Sequence, residues 1–138
     1  MSRIFLDTSA YSAFKRNHPE LRYRIQEASQ IRLNPVVLGE LHAGFLHGTR
    51  LKENLAELAH FLDSPRVGVI PVDEATSAHY AALFDPLRKA GTPIPTNDIW
   101  IAAGARQSRS ILLTTDPHFR HVTQVEVEIF EPLVKKPT

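Results

Sequence analysis

The apolar positions of this chain fall into two alternating kinds of stretch. Short hydrophobic runs stop abruptly at turn residues, and longer segments repeat their apolar positions at helical spacing. The first run, Arg3-Ile4-Phe5-Leu6, ends at Asp7-Thr8-Ser9, an acid followed by two hydroxyl residues. That pattern predicts a buried strand leading into a helix N-terminus, with the helix passing through Tyr11 and Phe14 to about Arg16. Asn17-His18-Pro19 restarts the chain, and Leu21, Ile25 and Ala28 continue at helical spacing. Ile31-Arg32-Leu33 is a second strand. Asn34-Pro35 then opens a helix that carries Val37, Glu40, Leu41 and Gly44 on neighbouring turns and closes at Gly48.

The next helix bears a stripe of Leu51, Leu55, Leu58, Ala59 and Leu62, expected to be core or a subunit contact, and stops at Asp63-Ser64-Pro65. A strand is predicted over residues 67–72. Asp73 caps a long helix that Gly91 closes, and Thr92-Pro93-Ile94-Pro95 delivers Thr96-Asn97-Asp98 to the start of another. The small residues Ala102 and Ala103 on that helix permit close approach to a sheet, and Trp100 is expected to pack rather than stack on a base. Ile111 to Thr114 forms a strand ending at Thr115-Asp116-Pro117, and Val125 to Phe130 alternates like a half-exposed edge strand. Lys135-Lys136 reads as a tail. Short strands separated by helices argue for an α/β protein with a parallel sheet covered on both faces.

At 138 residues the chain is most economically one domain. It has no cysteine, which excludes disulfides, thiolate nucleophiles and cysteine-bound zinc, so any metal must take oxygen or imidazole ligands. No stretch approaches the roughly 20 apolar residues of a membrane helix, and a soluble cytoplasmic protein is expected. Sixteen Lys and Arg balance fifteen Asp and Glu. Setting aside Asp7, Glu40, Asp98 and Asp116 as one cluster leaves eleven acids against those sixteen cations, a mildly basic surface around an acidic pocket, suited to a polyanion.

Each of those acids has an ordinary explanation when taken alone. Asp7 suits an N-cap, Glu40 a surface pair at the rim of a packed face, Asp98 the positive end of a helix and Asp116 an Asp-Pro turn. Asp73 needs nothing beyond its cap. His42 and His47 lack the His-Glu-x-x-His spacing of a zinc hydrolase and read as surface or packing residues.

The set carries more information than its members. Residues 4–11 (Ile-Phe-Leu-Asp-Thr-Ser-Ala-Tyr), 36–41 (Val-Val-Leu-Gly-Glu-Leu), 95–103 (Pro-Thr-Asn-Asp-Ile-Trp-Ile-Ala-Ala) and 112–119 (Leu-Leu-Thr-Thr-Asp-Pro-His-Phe) resemble, in order and context, a PIN-domain ribonuclease of the VapC toxin type. The resemblance implies a three-layer α/β/α fold whose five-stranded parallel sheet is ordered 3-2-1-4-5. It also implies an acidic quartet of Asp7, Glu40, Asp98 and Asp116, with Asp7 and Asp116 the first metal ligands, Asp98 next, and Glu40 acting through water or on the nucleophile. Thr8, Ser9, Asn97 and Thr115 are the expected polar supports of that quartet.

Crowded carboxylates repel by roughly 3–4 kcal/mol per close pair at an effective dielectric near 20, so a hard divalent ion, Mg²⁺ or Mn²⁺, is the implied cofactor. The implied reaction is hydrolysis of an RNA phosphodiester by in-line attack of water. Lys15, Arg16, Arg50 and Lys52 are candidates for phosphate contacts, although each also reads as a solubilising charge. A VapB-type antitoxin and a second copy of the chain are the implied protein partners.

Two rivals remain. An aspartyl-phosphate mechanism at Asp7 wants a second Asp two residues on, where this chain has Ser9. A catalytically inactive module of the same fold would bind RNA or a partner protein without cutting.

Overall fold

The computed structural model describes residues 2–133, so Lys135-Lys136 lies outside the described residues. Among these residues five strands form one sheet: β1 (Arg3–Leu6), β2 (Gln30–Leu33), β3 (Val67–Val69), β4 (Ile111–Thr114) and β5 (Val127–Ile129). All four pairings are parallel, and the order is β3-β2-β1-β4-β5. The helices are α1 (Thr8–Lys15), α2 (Pro19–Glu27), α3 (Pro35–His47), α4 (Leu51–Leu62), α5 (Glu74–Lys89) and α6 (Thr96–Gln107), with a 3₁₀ turn at Pro117–His121. The sheet grows outward from β1 to β3 and then returns to β4. Right-handed crossovers therefore put α1 to α4 on one face and α5 and α6 on the other, giving the three layers that the family resemblance implies.

Local chemistry sets the helix boundaries. Asp7, Asn34 and Asp73 each accept a hydrogen bond from a backbone N–H in the first turn of the helix that follows, and Asp73 forms a full capping box with Thr76. Gly91, at φ +70°, ends the connection after α5 as expected. The caps fix where α1 and α3 leave the sheet, and so fix the carboxyl edge of β1 and β2 as the mouth of the molecule.

The central strand is sealed on both sides: Ile4, Phe5 and Leu6 have no exposed surface. Helix α6 lies on the Phe5 side, so close that a Cβ on Gly104 would come within 2.7 Å of the Asn34 side-chain nitrogen and 2.8 Å of the Phe5 ring. Asn34 is fully buried and does two jobs. Its Oδ1 accepts from Val37 N at 3.3 Å to cap α3, and its Nδ2 donates to the Trp100 carbonyl of α6 at 3.1 Å. Trp100 packs on Tyr80 of α5, with ring centroids 4.2 Å apart, as expected of a packing residue.

Three expectations need correction. Of the α4 stripe only Leu58 is buried; Leu62 is half-buried, and Leu51 and Leu55 are each 37 % exposed, because α4 packs chiefly against the outer strand β3 and its neighbour α3. The core reading therefore holds for one end of the stripe alone. The strand expected over 67–72 stops at Val69, where Ile70 N still donates to the Leu33 carbonyl but Pro71 has no N–H to continue the ladder. The last strand is likewise confined to Val127–Ile129, and Glu128 does not face solvent freely: Arg24 of α2 holds both its oxygens, at 3.0 and 3.2 Å.

Gly104→Ala forces the α6 backbone away from Phe5 and Asn34, and should cost about 1–3 kcal/mol of unfolding free energy, the usual range for overpacking a filled core. Urea denaturation of the variant against the native chain measures it.

Candidate acidic site

Two strand ends and two helices bring the acidic residues to one place. Asp7 follows β1, and Asp116 follows β4, the strand hydrogen-bonded beside it, so both stand where the strand order reverses. Glu40 comes from the second turn of α3 and Asp98 from the first turn of α6. All four line a single cleft of about 300 Å³, together with Thr8, Ser9, Ser12 and Ile101.

Asp7 is 4 % exposed, and its burial is offset by three donors. Ala10 N reaches Oδ1 at 2.7 Å, the Thr114 hydroxyl reaches Oδ2 at 2.5 Å, and Ser9 Oγ lies within 2.9 Å of both oxygens. Glu40 accepts from Thr8 Oγ1 at 2.5 Å and from Asn97 Nδ2 at 3.3 Å. Asp116 Oδ1 accepts from His118 N at 2.9 Å and lies 2.9 Å from His118 Nδ1. Asp98 differs from the rest. It is half-buried, and among the described residues no donor hydrogen-bonds its carboxylate.

Thr8, Ser9 and Asn97 thus touch the acids as expected, but Thr115 does not. Only its backbone N–H takes part, donating to Ser9 Oγ at 3.0 Å, and the hydroxyl that holds Asp7 belongs to Thr114. The register between β1 and β4 decides between the two threonines. Successive strand side chains alternate, and with Leu6 opposite Leu113 in parallel register the residue beside Asp7 is Thr114. Thr114 also accepts from Asp116 N at 2.9 Å, so one buried hydroxyl joins the two strand-end acids. Of the cationic candidates, Lys15, Arg16 and Arg50 line a groove adjoining the cleft, whereas Lys52 lines neither. His42 and His47 are exposed and do not line the cleft.

Burial pushes the Asp7 carboxyl up to about 6; its hydrogen bonds from Thr114, Ala10 and Ser9 oppose that rise, and the charge of Asp116 adds to it. Asp98 is also raised to about 6, first by burial and then by the negative charges of Asp116, Glu40 and Asp7. The upward push on Asp98 from its three acidic neighbours is what is expected of carboxylates that share one cleft.

Every polar group lining the cleft is an oxygen, which suits a hard divalent cation. Among the described residues no three Asp, Glu or His side chains are drawn tightly enough to hold an ion unaided. The hydrogen bonds explain why, since Asp7 and Glu40 are turned toward protein donors. What fits is an ion taken by one or two free carboxylates that keeps several waters, the usual state of Mg²⁺. Asp98 and the second oxygen of Asp116 are the groups left without a protein donor among the described residues.

A parallel sheet with an acidic cleft at its switch point defines an α/β class in which ligands bind beyond the strand ends. The chain belongs to the PIN domain family, whose model matches residues 4–125, and within it to the VapC ribonucleases. It is 35 % identical over 92 residues to ribonuclease VapC4 of Mycobacterium tuberculosis, covering 67 % of this chain and 71 % of that one. Ribonuclease VapC1 of Haemophilus influenzae strain R2866 is 26 % identical over 128 residues, covering 88 % and 92 % of the two chains. The toxin–antitoxin complex VapBC-5 of M. tuberculosis superimposes with a TM-score of 0.69 at 26 % identity over 95 % of this chain and 99 % of that one. VapBC2 of Rickettsia felis, solved with a DNA fragment from its promoter, shares the fold with a TM-score of 0.80 at 23 % identity, covering 91 % and 96 %.

Asp7 and Asp98 bind their protons more tightly in the fold than in the unfolded chain. The fold is therefore least penalised below pH 4, where both states are protonated, and loses stability as pH rises through 6. For Asp7 alone the shift amounts to about 3 kcal/mol. The melting temperature of EDTA-treated protein should fall between pH 5 and pH 7.5, and Asp7→Asn should flatten that fall; thermal denaturation across the range measures both.

Proposed function

We propose that the protein is an endoribonuclease that hydrolyses RNA phosphodiester bonds with Mg²⁺ or Mn²⁺, and that it is the toxin of a type II toxin–antitoxin pair. The observation that carries this reading is Asp98, a half-buried carboxylate with no donor among the described residues and three negative neighbours, a group that calls for a cation. The ribonuclease VapC relatives support RNA as the substrate.

In this reading Asp98 and the second oxygen of Asp116 would hold the ion most directly, with Asp7, engaged by its three donors, adding its negative charge beside them. The bound ion supplies positive charge that lowers the pKa of water and offsets charge on the phosphate oxygens. Glu40, held by Thr8 and Asn97, would orient the attacking water. Ser9 and Thr114 fix the Asp7 carboxylate so that its geometry does not depend on the ion.

The protein partner in this scheme is a VapB-type antitoxin that covers the cleft and sets a basic side chain against the carboxylates. The VapBC complexes support it. The exposed Leu51 and Leu55 of α4 support a second copy of the chain as a further partner. Among the described residues no helix is long and apolar enough to cross a membrane.

Cleavage of single-stranded RNA should require Mg²⁺ or Mn²⁺ and stop in EDTA. Asp7→Ala and Asp98→Ala should each lower kcat/KM by at least about 100-fold, measured on a labelled RNA by gel. Full activity in both variants would remove the site from consideration. Thr114→Val should lose roughly 10- to 100-fold, as expected of a group that orients a ligand, whereas Thr115→Val should change little.

A further inference from the structure

The acidic cleft does not end at Glu40. Thr8, Ser12 and Glu40 also line one end of a second groove, of about 460 Å³, that runs between α1, α3 and the start of α4. Lys15, Arg16 and Arg50 lie along it. Its wall includes Tyr11, 2 % exposed, whose hydroxyl is the one buried side-chain polar atom without a hydrogen-bond partner among the described residues. A buried donor without an acceptor is costly, so one in the wall of a groove marks a place where an acceptor oxygen is missing. Burial, with the charge of Glu57 next, pushes this phenol up to about 12, and it stays a donor at any working pH.

Glu57 stands between two of the cations, 4.0 Å from Lys15 Nζ and 3.8 Å from an Arg50 nitrogen. Both separations are long for an ion pair, and all three side chains are substantially exposed, so Glu57 is a loose counter-ion rather than a fixed partner.

We propose that this groove is a phosphate subsite for the RNA strand flanking the cleaved bond, in which Lys15 and Arg50 take the oxygens of a backbone phosphate and displace Glu57, and the departure of Glu57 uncovers the buried Tyr11 hydroxyl as a further donor. The proposal rests on RNA being the substrate. The charge pattern selects a polyanion: a cleft of four acids repels RNA, and the cations that attract it must lie along the strand on either side of the cut. The groove adjoins the cleft, with Thr8, Ser12 and Glu40 lining both, so a strand with one phosphate at the acids lays its neighbours along Lys15 and Arg50. Phosphate contacts set register rather than read bases. The groove therefore decides where along a strand the cut falls.

The test compares two single-stranded RNAs, one ending a nucleotide beyond the cut on each side and one extended by several nucleotides, with the full chain and Mn²⁺. Lys15→Ala combined with Arg50→Ala should raise KM for the extended RNA about tenfold at unchanged kcat and leave the short RNA unaffected. In an Asp98→Asn background, binding of the extended RNA should show a salt slope shallower by about 1.4 for the two lost contacts. Glu57→Gln should move KM the other way. Tyr11→Phe should raise Tm, because it deletes an unpaired donor, and yet raise KM, a combination that a purely structural role does not produce.

Equal losses on both RNAs, unchanged KM and salt slope in the double variant, or a Tyr11→Phe effect confined to Tm would overturn the proposal. If the native chain cleaves no RNA, the nuclease reading fails and the salt slope alone decides the groove. Unchanged RNA parameters together with lost binding of a co-expressed antitoxin would assign the groove to a protein instead.

Discussion

The arrangement depends on one carboxylate being kept nearly out of water at the end of the central strand. Asp7 follows directly on three residues with no exposed surface, so its charge sits against the core. That placement is tolerable because a helix N-terminus and two hydroxyls surround it: Ala10 N from α1, Ser9 from the same turn and Thr114 from the adjacent strand. Capping and site chemistry are therefore not alternatives at this residue. The same bond that starts α1 immobilises the acid, and the same hydroxyl that neutralises one oxygen also accepts from the Asp116 backbone. Sheet register, helix start and cleft geometry are coupled through a few hydrogen bonds.

The other acids follow a gradient of satisfaction. Asp7 is fully engaged, Glu40 is held by two donors from separate elements, Asp116 is engaged through one oxygen, and Asp98 has no donor among the described residues. Neutral hydroxyl and amide donors set most of the cleft before any ion arrives, and the remaining repulsion is concentrated where an ion would act. This accounts for the lack of a tight ligand cage among the described residues while the acids still line one cavity.

Much of this was legible in the sequence because it is written in local chemistry. Asn34-Pro35, Asp73 and Gly91 act within a turn of themselves, and each helix boundary they predicted is found. The four acids were legible as a set only through their shared context. What escaped was decided by neighbours distant in the chain. Thr115 looked as good as Thr114 until the register with β1 chose between them. The leucines of α4 have core spacing, but α4 packs chiefly at the edge of the sheet and turns part of its apolar face outward. The two outer strands are shorter than their apolar runs, and at β5 the partner that decides Glu128 is an arginine from α2, about a hundred residues earlier.

One further consequence follows from Asn34. Because the same amide caps α3 through Val37 and grips the Trp100 carbonyl of α6, the helices that carry Glu40 and Asp98 hang from a common pivot. A shift of either helix along the sheet strains a bond to this buried amide, which ties the gap between these two acids to the position of Asn34. Changes to the outer loops can redirect what enters, but the jaw width is set from beneath, at a residue that no incoming molecule ever meets.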